Sequence, residues 1–199
     1  MLLFIFKYHT IFVHGEQNMN NLAYIQINNK YSKDAIDTLT KLFDGNIDIT
    51  VDNDLMLINV SDNDCFEQIL QNFSLMYITD LLINIKVLIV PFFDGRFIKY
   101  LDYVEYDILT IFDVFVKNIN NKEVIEDAKE IYSSFSKQNL DTITALIKCN
   151  MNALKAAEML YLHRNSLNYR INKFIKETKI DIRNVNNIAF IKLLISLNK

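Results

Sequence analysis

Apolar and polar residues follow two different periods between residues 21 and 93, and the period changes from one short block to the next. Blocks with a period of two predict β-strands, and blocks with a period near 3.6 predict α-helices. We expect Ser32 to cap the first helix. The order β-α-β-β-α-β predicts a ferredoxin-like sheet with helices on one face. The predicted strands are residues 22–27, 47–51, 55–60 and 85–92, and the predicted helices are residues 32–43 and 63–73.

Residues 97–117 are mostly apolar, but four acidic residues interrupt them, so the segment does not predict a transmembrane helix. The pattern predicts a helix that is apolar on more than one side, and such a helix must be covered on more than one side. It is either the central helix of the domain or the seam of a dimer. Residues 122–135 predict a second, amphipathic helix with Val124, Ala128 and Ile131 facing inward.

Two helices joined by a short turn are predicted for residues 152–160 and 164–178. The adjacent small residues Ala156 and Ala157 allow the backbones of two steeply crossing helices to approach closely. Leu162, in the middle of the turn, can fill the angle between the helices. A further apolar helix over residues 188–197 is expected to pack beneath this unit. The predicted core of the helix-turn-helix is Ala156, Ala157, Leu160, Leu162, Leu167 and Ile171.

The second of these two helices is strongly two-sided. Its apolar side chains fall in an arc of roughly 100°, which is wide enough to pack on a core. The opposite side has no acidic residue before Glu177, whereas an ordinary surface helix of a bundle, the alternative reading, normally mixes its charges. Amide and guanidinium groups can bond base edges in pairs, and hydroxyl and ammonium groups suit phosphate oxygens. The polar and basic positions are Arg164, Asn165, Ser166, Asn168, Tyr169, Arg170, Asn172, Lys173 and Lys176.

Two residues in this region have open roles. His163 stands immediately before the second helix, so it can contact phosphate or bond the exposed backbone amides at the helix start. We favour the second, structural role. Tyr169 can stack on a sugar or base, or it can brace Arg170.

The charge is divided unevenly along the chain. The whole sequence carries 21 Lys and Arg against 24 Asp and Glu, a net charge of −3. Residues 137–199 hold 11 of the basic and 4 of the acidic residues, a net charge of +7, which leaves −10 on residues 1–136. Exposed charges more than about 10 Å apart are largely screened at 0.1 M salt, so the local charge decides phosphate binding. This division is typical of a basic DNA-contacting module on an acidic body.

The stretch A-A-E-M-L-Y-L-H-R-N-S-L-N-Y-R-I-N-K-F, residues 156–174, resembles the C-terminal helix-turn-helix domain of PucR-type transcription regulators. The shared pattern is a paired Ala, a Leu and then H-R-N-[ST]-L-x-Y-R-[LI]. One departure is Lys179, where the family usually has Gly, so we expect this helix to end differently. The resemblance implies a sequence-specific DNA-binding regulator. It also implies that the N-terminal body is a reduced, degenerate GGDEF-like domain, although the nucleotide-cyclase signature is absent.

No catalytic or metal-binding constellation stands out. Carboxylates are plentiful in the N-terminal body, but they fall at predicted turns and helix caps, where Asp is favoured without any catalytic role. Cys65 and Cys149, like His9, His14 and His163, lack metal-ligand spacing, and no nucleophile-elbow or phosphate-loop motif occurs. We therefore predict no enzyme activity, no cofactor and no metal, in a chain from a reduced, cytoplasmic compartment.

Residues 1–18 are interpreted as a non-native leader or a disordered extension. Their apolar run is too short to span a bilayer, which takes about 20 residues, and it lacks the features of a signal peptide. Gly15 and Glu16 can be encoded by GGAGAA, a ribosome-binding sequence, at a suitable distance before the codon of Met19. We therefore hypothesise that translation starts at Met19 rather than Met1.

The sequence thus predicts an α+β protein with three parts after the leader. These are a ferredoxin-like body over residues 19–96, a helical connector or dimerisation segment over residues 97–136, and an all-α DNA-binding domain over residues 137–199. Its predicted function is regulation of transcription in a bacterial cytoplasm, with residues 164–178 as the recognition helix in the major groove.

The predicted contacts divide along that helix. Arg164, Asn165, Ser166, Asn168 and Tyr169 are expected to reach the bases, and Arg170, Lys173 and Lys176 are expected to meet phosphates. The expected partners are double-stranded DNA, a second copy of the chain and an unidentified small-molecule effector, with no membrane. The alternative is a non-enzymatic protein-interaction or ligand-sensing module that carries a relic helix-turn-helix.

Overall fold

The computed structural model describes residues 20–61, 63–105 and 108–198, which form two compact units. The units meet in the sequence between Val114 and Phe115. The leader predicted for residues 1–18, and the choice between Met1 and Met19 as the start, fall outside the described residues.

The N-terminal unit is a mixed α/β structure built on one sheet. Over residues 20–90 its elements follow the predicted order β-α-β-β-α-β, and a fifth strand comes later. The strands are β1 (Asn20–Ile27), β2 (Ile47–Asp52), β3 (Leu55–Ser61), β4 (Ile85–Val90) and β5 (Ile108–Thr110). They lie in the order β2-β3-β1-β4-β5, with β4 and β5 parallel and the other neighbours antiparallel. The α-helices of this unit are α1 (Ser32–Leu42) and α2 (Phe66–Thr79), and Asn29–Tyr31 and Gly95–Tyr103 are 3-10 helices.

The main core of this unit lies between one face of the sheet and the two helices. Ala23 and Ile25 of β1 share a buried cluster with Leu39 of α1 and with Phe73 and Tyr77 of α2. Because successive strand residues point to opposite faces, both helices cover the same face of the sheet. Burial in this cluster raises the pKa of the Tyr77 phenol.

The opposite face of β1 is also buried. Tyr24 is fully buried, and its phenol donates a hydrogen bond of 3.0 Å to the backbone oxygen of Asp94. The 3-10 helix Gly95–Tyr103 contacts β1 and β4 and buries Phe97 and Tyr100. A strand segment that is covered on both faces has a continuous apolar sequence rather than an alternating one, and residues 22–25 of β1 form such a run.

The prediction of one apolar helix over residues 97–117 is wrong. The chain instead forms the 3-10 helix, then β5, and then the helix α3 (Ile111–Lys117). Side chains three residues apart share a face of a 3-10 helix, and Phe97 and Tyr100 use this spacing to cover the sheet. The strand β5 extends the same sheet beside β4. The apolar residues of the segment therefore serve this sheet in two places, which a single straight helix could not do.

Two helix starts also differ from the prediction. Ser32 does not cap α1, because Tyr31 occupies the N-cap position without a side-chain bond, and the Ser32 hydroxyl is buried without a hydrogen-bond partner in the described part of the chain. The helix α2 starts at Phe66 rather than Asn63. The Asn63 side-chain oxygen accepts a 2.8 Å bond from the Cys65 backbone amide, which makes a turn before the helix.

The C-terminal unit is helical. The helices after α3 are α4 (Lys122–Ser133), α5 (Lys137–Lys148), α6 (Ala153–Met159), α7 (Arg164–Thr178) and α8 (Val185–Leu197). The helix α4 packs against α8, α5 packs against α6 and α7, and α6 packs against α7. Two edge-to-face ring pairs lie in the core of this unit, Phe115 with Phe190 and Phe135 with Phe174, with ring centroids 5.5 and 5.7 Å apart.

Across residues 20–61, 63–105 and 108–198, none of the helices has both the length and the apolar character that a membrane crossing requires.

Candidate nucleic-acid interface

The short helix α6 is held at its start and on its inner side. The side-chain oxygen of Asn152 caps it by accepting hydrogen bonds of 3.1 Å from the amides of Leu154 and Lys155. Ala156 and Ala157 are buried to 0% and 1% exposure. The helix α6 packs against both α5 and α7, and small side chains such as these allow helix backbones to approach closely.

The turn from α6 to α7 has a defined hydrogen-bond pattern. The amide of Leu162 donates to the oxygen of Ala157 at 2.8 Å, and the amide of Tyr161 donates to the oxygen of Glu158 at 3.1 Å. These two bonds form a Schellman motif, which requires a residue in the left-handed region at the position of Tyr161. Tyr161 has a φ of 53° and meets that requirement without being glycine.

His163 caps the start of α7. Its φ and ψ are −70° and 147°, which is the extended backbone of an N-cap residue, and its Nδ1 accepts a 3.2 Å hydrogen bond from the amide of Asn165. The backbone oxygen of His163 also accepts the first bond of the helix, from Leu167. The structural role that the sequence favoured for His163 is therefore the one observed.

The helix α7 spans Arg164–Thr178, as predicted, and it divides into a buried and an exposed side. Leu167 and Phe174 are fully buried, and Ile171 and Ile175 are half-buried. Of the other predicted core residues, Leu160 and Leu162 are also half-buried. Arg170 is half-buried on the flank of the helix. The exposed residues are Arg164, Asn165, Ser166, Asn168, Tyr169, Asn172, Lys173 and Lys176.

The centre of the exposed side is a stripe that we call the α7 face: Asn165, Tyr169, Asn172, Lys173 and Lys176. At 100° per residue these five positions fall within roughly 100° of arc, opposite Leu167 and Phe174. Tyr169 is 70% exposed. The α7 face therefore presents amide, phenol and ammonium groups, with no carboxylate among them, over a helix about 22 Å long.

The first acidic residue of α7, Glu177, is engaged with neighbouring side chains. Its Oε2 accepts a 3.1 Å hydrogen bond from the Asn139 amide group, which belongs to the buried side of α5. Its Oε1 lies 3.6 Å from the Lys173 ammonium group. Asn139, which the sequence did not single out, thus joins α5 to α7. The pairing partner lies 38 positions away, so no local pattern could have indicated it.

The end of α7 corrects our expectation about Lys179. This residue has a φ of 61°, and its amide donates a 2.8 Å hydrogen bond to the oxygen of Ile175. The helix therefore closes with the left-handed residue that glycine usually supplies. The side chain of Thr178 supports this end, because its hydroxyl accepts a bond from the Ile180 amide at 3.2 Å.

Within the described ranges, no group of three or more His, Cys, Asp or Glu side chains could hold a metal ion.

We predict that replacing Lys179 with glycine raises the free energy of unfolding of the C-terminal unit by about 1 kcal/mol, because a left-handed backbone strains every residue that has a Cβ. Urea unfolding of the full chain measures the change. The matched control is Lys176→Gly, inside α7, which should lower the same quantity by about 1 kcal/mol. A loss of stability in Lys179→Gly would contradict the assigned backbone conformation.

We also predict that His163→Ala lowers the free energy of unfolding by about 1 kcal/mol, whereas His163→Asn changes it by only a few tenths, because Asn is also a good N-cap residue. The same urea experiment compares the two variants. If both lose stability equally, or if neither does, the cap is not what His163 contributes.

Comparison with known proteins agrees with this geometry. Residues 139–196 match the PucR C-terminal helix-turn-helix domain. An "Uncharacterized protein YxkF" of Bacillus subtilis (strain 168) is 45% identical over 58 residues, which are 29% of this chain and 19% of that protein. A "Leucine-rich protein" of Streptococcus dysgalactiae subsp. equisimilis is 33% identical over 55 residues, 28% of this chain and 20% of that protein. The similar region thus spans about a fifth of the length of these relatives.

Among solved structures, the crystal structure of a Regulator of Polyketide Synthase Expression from Bifidobacterium adolescentis aligns over 97% of this chain and 85% of that chain. Its TM-score is 0.45 and the sequence identity is 11%. The match to the PucR domain covers α5 almost from its start, the whole of α6 and α7, and nearly all of α8. Residues 139–196 of this chain are thus similar to the PucR C-terminal helix-turn-helix domain.

Proposed function

We propose that this chain is a transcription regulator of PucR-like type that binds duplex DNA through α7 and carries out no enzymatic reaction. The observation that carries the proposal is the α7 face, an exposed helical stripe without carboxylates on a helix-turn-helix of a regulator family. A helix with its side chains is about 10–12 Å wide, which fits a major groove about 12 Å wide.

The proposed contacts divide along α7. The N-terminal turns of a recognition helix reach base edges, so Arg164, Asn165, Ser166, Asn168 and Tyr169 are assigned to the bases. All five side chains are exposed, which supports this assignment.

Arg170, Lys173 and Lys176 are assigned to phosphates. Lys173 lies 3.6 Å from Glu177 in an ion pair whose side chains are more than 40% exposed. Such pairs contribute little to stability, so the ammonium group can move to a phosphate at small cost. The net charge of +7 on residues 137–199 supports attraction to the DNA backbone in spite of the acidic remainder of the chain.

For the N-terminal unit we propose a ferredoxin-like fold, as a reduced form of the degenerate GGDEF-like domain. The antiparallel order β2-β3-β1-β4 and the sequence of elements over residues 20–90 support this proposal. Because the 3-10 helix Gly95–Tyr103 and β5 belong to the unit of the sheet, we extend this domain beyond the predicted residues 19–96 to Val114. The connector or dimerisation segment predicted for residues 97–136 is then reduced to residues 115–136, and we assign residues 137–199 to DNA binding. In this proposal the N-terminal domain senses a small-molecule effector or forms a homodimer that reads two half-sites in a bacterial cytoplasm.

One observation favours a second candidate function. Leu154, Met159 and Val185 are 57%, 47% and 76% exposed on the helices of the C-terminal unit, and a protein partner would bind them if they form one contiguous apolar patch. A relic helix-turn-helix that docks a protein, or that serves a ligand-sensing module, would have no affinity for duplex DNA at low salt, whereas the proposed regulator would have such affinity.

The test is a selection of bound sequences from random duplex DNA with the purified full chain, followed by affinity measurements on variants. Arg164→Ala and Asn165→Ala should each weaken binding to the selected duplex by about 1–3 kcal/mol and relax the sequence preference. Lys173→Ala should weaken the selected and random duplexes alike, because phosphate contacts carry no sequence information.

Lys192→Ala is the matched control, since Lys192 is an exposed lysine on another helix, α8. The affinity of this variant for the selected and random duplexes should stay near that of the wild-type chain. Equal losses on selected and random duplexes for all three α7 variants would refute the division into base and phosphate contacts, and a failure to enrich any sequence would refute the proposed function.

A further inference from the structure

Tyr161, in the turn between α6 and α7, combines an exposed aromatic side chain with a left-handed backbone. Its side chain is 97% exposed, the highest value among the large apolar and aromatic side chains that lie exposed in the described ranges. Its φ of 53° places the backbone in the left-handed region. Leu82 in the N-terminal unit shares the high exposure and the left-handed backbone, with 84% exposure and a φ of 54°, so the location of Tyr161 beside α7 is what distinguishes it.

The backbone position imposes the left-handed conformation. The Schellman bonds from Tyr161 to Glu158 and from Leu162 to Ala157 need a left-handed residue at this point. A residue with a Cβ in that region lowers the folding equilibrium constant by roughly tenfold relative to glycine. Burial of a large ring can offset such a loss, but Tyr161 is almost completely exposed and gains nothing from packing within its own chain. The ring is therefore unfavourable for folding.

The location of Tyr161 suggests what it serves. It stands three residues before Arg164, the first residue of α7, so it lies within about 10 Å of the helix start along the chain. In a helix-turn-helix this end of the recognition helix is the one that enters the groove. A residue beside the entry point meets the sugar-phosphate backbone. The phenol group suits that surface, because its hydroxyl can donate to a phosphate oxygen while its ring covers a deoxyribose.

We propose that Tyr161 is a DNA-backbone contact, whose hydroxyl donates to a phosphate next to the bases read by α7. This inference rests on the proposed function. A contact of this kind orients the recognition helix and does not itself read sequence. It also gives a physical reason for an aromatic residue at a position whose backbone conformation favours glycine.

The experiment uses the full chain and the duplex that the wild-type chain selects. Tyr161→Gly should unfold at a higher urea concentration than the wild type, because glycine relieves the left-handed strain, and yet it should bind the duplex roughly threefold to tenfold more weakly. Tyr161→Phe keeps the ring and the backbone conformation but removes the hydroxyl, so it should lose most of the same affinity without a gain in stability.

The matched control is Asn150→Gly. Asn150 also has a left-handed backbone, with a φ of 51°, and it closes α5 with the same pair of Schellman bonds. This variant should bind the duplex as the wild type does. A Tyr161→Gly chain that keeps full affinity for the duplex would overturn the inference, and a loss of self-association in that variant at unchanged duplex affinity would indicate a protein contact instead.

Duplex binding by the wild-type chain tests the proposed function, and the comparison with the Tyr161 variants tests the role of Tyr161. If the wild-type chain binds no duplex at low salt, the proposed function fails and the assignment of Tyr161 fails with it. If the wild-type chain binds and the Tyr161 variants bind equally well, only the assignment of Tyr161 is wrong.

Discussion

The packing of α6 against α5 and α7, with Ala156 and Ala157 buried, sets the arrangement of the C-terminal unit. Both side chains are buried, and α6 contacts α5 on one side and α7 on the other. Small side chains allow helix backbones to approach closely. Because Leu167 and Phe174 bury one side of α7 in the same unit, the polar side is forced outward. The exposure of the α7 face therefore follows from packing on the opposite side.

The helix ends hold this arrangement, and they do so without glycine. A helix of seven residues such as α6 is too short to be stable by itself, so its caps and its packing determine whether it forms. Three successive helices end in left-handed residues, Asn150 after α5, Tyr161 after α6 and Lys179 after α7. Residues 115–199 contain no glycine at all. The turn between α6 and α7 is thus held by the backbone hydrogen bonds of Tyr161 and Leu162, and the left-handed backbone that these bonds require lowers the folding stability.

The sequence predicted the helix-turn-helix far better than it predicted the segment after the sheet. The bounds of α7 were predictable because the spacing of its apolar residues, its polar face and the H-R-N-[ST]-L-x-Y-R-[LI] pattern all indicate the same helix. The helix predicted over residues 97–117 was wrong because an apolar run does not reveal what covers it. Here Phe97 and Tyr100 cover a sheet face from a 3-10 helix, and β5 extends that sheet.

Other features of the candidate site left no signal in the sequence at all. The bond from Asn139 to Glu177 joins residues far apart in the chain, and the left-handed backbone of Tyr161 is hidden because no glycine marks it.

The salt dependence of the affinity of the full chain for its selected duplex tests whether the carboxylate-free α7 face meets a polyanion. If Arg170, Lys173 and Lys176 neutralise three phosphates, the logarithm of the association constant should fall with the logarithm of the salt concentration with a slope of about −3 for each bound module. An affinity that does not change with salt, or the absence of any binding at low salt, would contradict the account.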